Sequence, residues 1–129
     1  MDNVLESIQE KIKELIEVFN CKQERKVAYI AGPMTSDPNY KSKFDLAEGI
    51  LKSAGYIVYN PAWQPQGLKY EEYMAVSGKM LDCCNHIFLL DGWEKSPGVK
   101  TELKKAIENN MEIHDFWRWH ESQGAELQI

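Results

Sequence analysis

Glu102 stands six residues after Ser96 in the segment "SPGVKTELKKA", which follows the apolar run "HIFLL" and opens a helical pattern. Serine before proline is a helix start: the serine side chain caps free amides and proline suits the first helical position. Gly98 lets a ligand approach the backbone closely. The amides of Gly98 and Val99, with the positive end of the helix dipole, suit a phosphate or carboxylate. At a rise of about 1.5 Å per residue, Glu102 lies roughly 9 Å along the axis from Ser96. A nucleoside monophosphate with its phosphate at Ser96 would bring its anomeric carbon near Glu102. A carboxylate there can act as nucleophile on an N-glycosidic bond. The same residues also satisfy a plainer pattern, a capped helix with Glu102 facing solvent.

Two further loops carry residues of the same kind. "YIAGPM", Tyr29 to Met34, ends a β-forming run in glycine and proline, and Gly32 there can present backbone amides to an anion. "YNPAW" places Asn60 and Trp63 after a second such run, where the Trp63 ring either stacks on a base or packs on its own loop. "DGWEKS" follows the third run with Asp91 and Trp93. Tyr29, Gly32, Pro33, Met34, Asn60, Trp63, Trp93, Ser96, Gly98 and Val99 are therefore the candidate ligand-binding residues, and Glu102 the candidate nucleophile.

Alternating strands and helices must position these loops. Strands are expected at 27–32, 56–61 and 86–90, with a short fourth at 111–113. Helices are expected at 43–55, which ends at the natural stop Gly55, at 70–84 and at 97–110. Connections of that length imply parallel pairing through right-handed crossovers. The pattern predicts a small doubly wound α/β domain, flavodoxin- or Rossmann-like, with four or five strands, flanking helices and an extra N-terminal helix. In such sheets ligands bind beyond the carboxyl ends of the strands, where the three unusual loops fall. The expected division is an amphipathic helix over 1–22, the α/β domain over 23–115 and an aromatic tail over 116–129.

Composition narrows the function class. One domain suits 129 residues, 43% of them hydrophobic and 27% charged. A net charge of −5 argues against nucleic acid as partner and leaves room for a small anion. No apolar run reaches the roughly 20 residues of a membrane span, and the charged amphipathic start is no signal peptide. Cys21, Cys83 and Cys84 show neither metal spacing nor obvious pairing, which predicts a reduced, cytoplasmic protein. His86, His114 and His120 form no pair at helical i, i+4 spacing, so no metal is expected.

Taken together, these motifs resemble the nucleoside 2-deoxyribosyltransferase superfamily, in particular its small phage and bacterial branch. The shared pattern comprises "YIAGPM", the stretch from Phe44 to "AGYIVYNP", the pair Tyr73-Met74, and "LLDGWEKSPGVKTELKKA" up to Ala106. It covers roughly residues 27–113, and its last part is the most specific. The resemblance implies cleavage or transfer at an N-glycosidic bond, without a cofactor, and a neighbouring chain that often completes the active site. It implies that Glu102 is the nucleophile. Ser96 falls where the superfamily's monophosphate hydrolases contact phosphate and where its transferases tend to carry aspartate. One departure stands out: an aspartate usually precedes the third strand, and here the pair is Cys84-Asn85. Asparagine is neither acid nor base. With Asn85 in that place, either Asp91 or Glu94 on the adjacent loop serves as the substitute carboxylate, or turnover is slow or absent and the protein is a nucleotide-sequestering module.

The stripe Leu5, Ile8, Ile12, Leu15 and Phe19 either packs on the sheet or forms a seam between helices of a homodimer or higher oligomer. "FWRWH", 116–120, either covers a neighbouring subunit or a pocket mouth, or packs on its own domain.

Overall fold

The computed structural model describes the backbone of residues 2–127 and the side chains among them outside 2, 17–24 and 124–127; Phe19 and Cys21 lie outside the described side chains. Helix α1 (Asp2–Glu24) leads into β1 (Val27–Ala31), α2 (Tyr40–Ser53), β2 (Ile57–Tyr59), α3 (Tyr70–Asp82), β3 (His86–Leu89), α4 (Pro97–Glu108), β4 (Glu112–Asp115) and α5 (Phe116–Leu127). The strands form one parallel sheet in the order β2-β1-β3-β4. The chain reverses direction across the sheet between β1 and β3, and that switch point is where a crevice opens in this class of fold.

Strand periodicity separates two cores. Ala28, Ile30, Phe88 and Leu90 point to one face and pack with Phe44, Ala47 and Leu51 of α2 and with Phe116. Tyr29, Ala31, Ile87 and Leu89 point to the other face and pack with Leu81 of α3 and with Val99 and Ala106 of α4. Both faces of β1 and β3 are covered, which is why those two strands read as unbroken apolar runs.

Three segments differ from the sequence expectation. Helix α2 starts at Tyr40, three residues before the apolar pattern becomes regular. Strand β2 is only three residues long, because Pro61 opens a 3₁₀ turn, Pro61–Trp63, capped by the Asn60 side chain. The aromatic tail is a helix continuous with the core: Phe116 is fully buried, and Trp119 packs edge-on against Tyr56 and Phe88. Of the two uses weighed for the α1 stripe, packing on the sheet is ruled out for the described residues: Val4, Leu5, Ile8, Ile12, Leu15 and Ile16 are all at least half exposed. Among the described residues, no helix is long and apolar enough to cross a membrane.

Candidate active site

A cavity of about 690 Å³ lies beyond the carboxyl ends of β1 and β2, against the start of α4, within the range of about 300–1,000 Å³ common for small-molecule sites. Its walls are the loop after β1, the segment after β2, the first turns of α3 and the start of α4. Glu102 stands in this wall. Its side chain is carried by the second turn of α4, on the face that Val99 and Ala106 bury against the sheet. The helix period that buries those two residues three and four positions away necessarily turns Glu102 inward as well.

A buried carboxylate needs a partner, and Tyr29 provides it. The Tyr29 hydroxyl, projecting from the middle of β1, donates a short hydrogen bond to Glu102 Oε2. Burial pushes the Glu102 carboxyl up to about 7, and the Tyr29 hydrogen bond pulls it partly back. Burial, reinforced by the Glu102 charge, holds the Tyr29 phenol well above its ordinary range, so it remains a donor. Beneath this pair lies fully buried Ser77 of α3, which accepts from Gln64 Nε2 at 2.8 Å and interacts with Tyr29 and Tyr73. Tyr73 in turn reaches Met34 Sδ at 3.0 Å, tying α3 to the loop after β1.

The start of α4 is built as a cap. Ser96 has extended backbone angles and its Oγ accepts from Val99 N at 3.3 Å, with Pro97 at the first helical position. The Val99 amide is therefore engaged by the cap, and Ser96 and Gly98 line the cavity beside it, where first-turn amides have no intrahelical partner. A Cβ on Gly98 would meet Met74 Sδ at 3.6 Å and Tyr70 Oη at 3.7 Å, which is ordinary contact. Gly32 is different: a Cβ there would stand 2.9 Å from Leu90 Cβ. Its glycine is required by the close packing of β1 against the end of β3, in addition to any approach of a ligand.

The cavity gathers Gly32, Met34, Ser96, Gly98, Val99 and Glu102 from the sequence candidates, with Tyr29 attached through Glu102. Six candidates lie elsewhere. Pro33 does not line the cavity and sits beside Gly92, which has a left-handed φ of 88° and on which a Cβ would stand 3.3 Å from Pro33 Cγ. Asn60 accepts from Ala62 N at 2.9 Å as the cap of the 3₁₀ turn. Trp63 is 71% exposed and Trp93 packs half-buried against the α3–α4 core, so neither ring lines the cavity. Asp91 is exposed and borders a smaller cleft beside Phe116 and Trp117.

Asn85 requires a correction. It precedes β3, and in an all-parallel sheet the residue before a strand lies at the edge opposite the strand ends that form the cavity. Its Oδ1 accepts from Val27 N at 2.8 Å and its Nδ2 donates to the Arg25 carbonyl at 2.6 Å, fastening the start of β1. The amide is matched to one donor and one acceptor, which a carboxylate is not. Asn85→Asp is accordingly a change to a structural clamp and not the restoration of an acid at the cavity.

Sequence reasoning missed Gln64, Ser77, Tyr40 and Tyr70. Gln64 Oε1 is buried without a hydrogen-bond partner among the described residues while the residue lines the cavity. Only its position after a strand end could have marked it. Glu102 is the one carboxylate lining the cavity among the described residues, and no lysine, arginine or histidine lines it.

Residues 26–115 match a protein family described as Domain of unknown function (DUF4406). The chain belongs to this family. The DUF4406 match begins at the residue before β1 and ends with β4, so it contains the whole sheet and every cavity residue named above. No curated protein matches the sequence. Among solved structures, one described as a 2-desoxiribosyltransferase from Leishmania mexicana superposes with a TM-score of 0.56 at 19% identity, over 68% of this chain and 61% of that one. The chain thus spans about three fifths of that neighbour's length. The likeness is one of fold, a parallel α/β sheet with flanking helices.

Proposed function

We propose that this DUF4406 protein binds a nucleoside 5′-monophosphate and cleaves, or transfers at, its N-glycosidic bond through Glu102. The observation that carries the reading is the Tyr29–Glu102 pair, a buried carboxylate in the wall of an apolar cavity held by a phenol, one and a half turns from a capped helix start. The fold shared with a solved 2-desoxiribosyltransferase supports the same chemistry. Glu102 attacks the anomeric carbon, the bond to the base breaks with its electron pair on the base, and water or an acceptor base then displaces the sugar from Glu102. In this reading Gln64 Oε1, buried without a partner among the described residues, accepts from an N–H of the base.

A second reading has its own observation. Among the described residues, Glu102 has no companion carboxylate on the cavity wall to protonate the departing base, and proton donation is commonly worth about 10²–10⁴-fold. A module that sequesters nucleotides would need only the cavity. Incubation with a nucleotide panel, with free base followed by chromatography, separates the two. Base release supports the enzyme, and binding without release supports the module.

The phosphate in this reading is held by the Ser96 hydroxyl, the Gly98 amide and the α4 dipole, since among the described residues no cationic side chain lines the cavity. Ser96→Asp keeps a capping side chain but adds like charge at that place. Monophosphate affinity should fall roughly tenfold or more while nucleoside affinity holds, as calorimetry with the two ligands would show. Equal affinity of both proteins for the monophosphate would remove the phosphate from Ser96.

The exposed stripe of α1 supports a homodimer or higher oligomer as the working state, because six large apolar side chains on one helix are more than an isolated chain leaves in water at no cost. Light scattering is expected to exceed the 14.9 kDa of one chain, and a monomer at working concentration would contradict it. The thiols of Cys83 and Cys84 are free, which fits a reducing, cytoplasmic setting.

A further inference from the structure

On the sheet face opposite Glu102, strand register brings three metal-binding side chains together. β3 and β4 pair in parallel with His86 opposite Glu112 and Phe88 opposite His114. Register partners project to the same face, and so do residues two apart on one strand. The edge strand therefore delivers a carboxylate and an imidazole to the place where β3 delivers its own imidazole. His86 Nδ1 lies 3.0 Å from His114 Nε2 and 3.4 Å from Glu112 Oε2, and His114 Nε2 lies 3.7 Å from the same oxygen.

We propose that His86 Nδ1, His114 Nε2 and the Glu112 carboxylate form a binding site for one divalent transition-metal ion of the zinc class, with a fourth position open to water. A tetrahedral ion with bonds of about 2.0–2.1 Å holds its donor atoms about 3.3–3.4 Å apart. The three edges of this triangle bracket that spacing, so an ion can enter with side-chain adjustments of a few tenths of an ångström. Two imidazoles with one carboxylate select zinc, cobalt, nickel or copper over magnesium and calcium, which prefer all-oxygen sets.

The surroundings agree with this. His86 is buried and His114 half-buried, while the Glu112 side chain reaches solvent, so the cluster lies at the edge of the core with a side open to an entering ion. Phe88 stacks on His114 at 4.4 Å between centroids and Tyr56 stands edge-on to His86 at 5.2 Å, an aromatic shell that fixes ring orientation. Lys26 opposes an ion by its charge, and the Glu112 carboxylate offsets it. The site belongs to the α2–α5 face, whereas Glu102 belongs to the α3–α4 face. Its consequence is structural: an ion would clip the edge strand β4 to β3.

Cobalt(II) titration of the full chain tests this, with cobalt as a spectroscopic stand-in for zinc. One ion per chain is expected, with the visible spectrum of a tetrahedral nitrogen–oxygen site and no thiolate charge-transfer band. Zinc should raise the midpoint of thermal unfolding and magnesium should not. Glu112→Gln, at a side chain largely in solvent, and His114→Ala should each weaken binding roughly tenfold or more. Absence of binding, affinity unchanged in both variants, or binding that vanishes in Cys83→Ser while surviving in Glu112→Gln would overturn the assignment.

Discussion

Glu102→Gln is expected to lower base release roughly 10³-fold or more while leaving nucleotide binding largely intact, as loss of a nucleophile does. The same substitution should make the protein more stable at alkaline pH. Glu102 has a folded pKa of about 7 against an ordinary 4.5. Folding therefore favours the protonated form. Below the unfolded value both states are protonated and the acid costs nothing; as pH rises from the unfolded to the folded value, the unfolded chain ionises first and stability is lost, until both states carry the charge above about 7. A shift of that size corresponds to about 3 kcal/mol. Denaturant unfolding of the two proteins should give similar stabilities near pH 4, diverge in favour of the glutamine form as pH rises from about 4.5 to about 7, and keep a constant difference above that. In the natural sequence, release should climb about tenfold per pH unit up to about 7 and then level, because only the carboxylate attacks. Tyr29→Phe removes the hydrogen bond that lowers the Glu102 pKa, so it should move that limb upward in pH. Brisk release that survives Glu102→Gln would falsify the nucleophile assignment.

Phe116→Ala is expected to cost roughly 3–5 kcal/mol, the range for truncating a fully buried phenylalanine. Phe116 is fully buried among Phe88, Trp117 and Trp119 although it lies one residue beyond the DUF4406 match. A domain of this size has a total stability of about 5–15 kcal/mol. The variant should therefore unfold at a much lower denaturant midpoint, and a chain ended at residue 115 should fold poorly. A midpoint within a few tenths of a kcal/mol of the natural protein would mean that α5 is an appendage. Trp117→Ala, at a side chain 38% exposed, should cost much less and serves as the comparison.

The amino-acid sequence determined the features that depend on neighbours along the chain. The Ser96-Pro97 helix start is visible because capping is a contact over three residues. The buried strands β1 and β3 are visible because covering both faces removes polar alternation. The cavity's place at the strand ends follows from parallel connection, which helix-length crossovers force. Glu102 could be named as a candidate, but its burial could not: that depends on α4 lying with Val99 and Ala106 against the sheet.

Tertiary structure alone decided the rest, because the deciding contacts join residues far apart in the chain. Tyr29 and Glu102 meet across 73 positions, and their contact turns a carboxylate into a raised-pKa group. Asn85 looked like part of the site from its place before β3, yet strand direction puts it at the far edge, where it fastens the backbone of β1. Trp63 and Trp93 carry base-stacking rings in the right loops, but the 3₁₀ turn and the α3–α4 core direct them elsewhere. His86 and His114 fit no helical ligand spacing because they meet through strand register, with Glu112 as the cross-strand partner. Spacing along a chain reports which residues can share one helix or strand, and only the packing of elements reports which residues share a point in space.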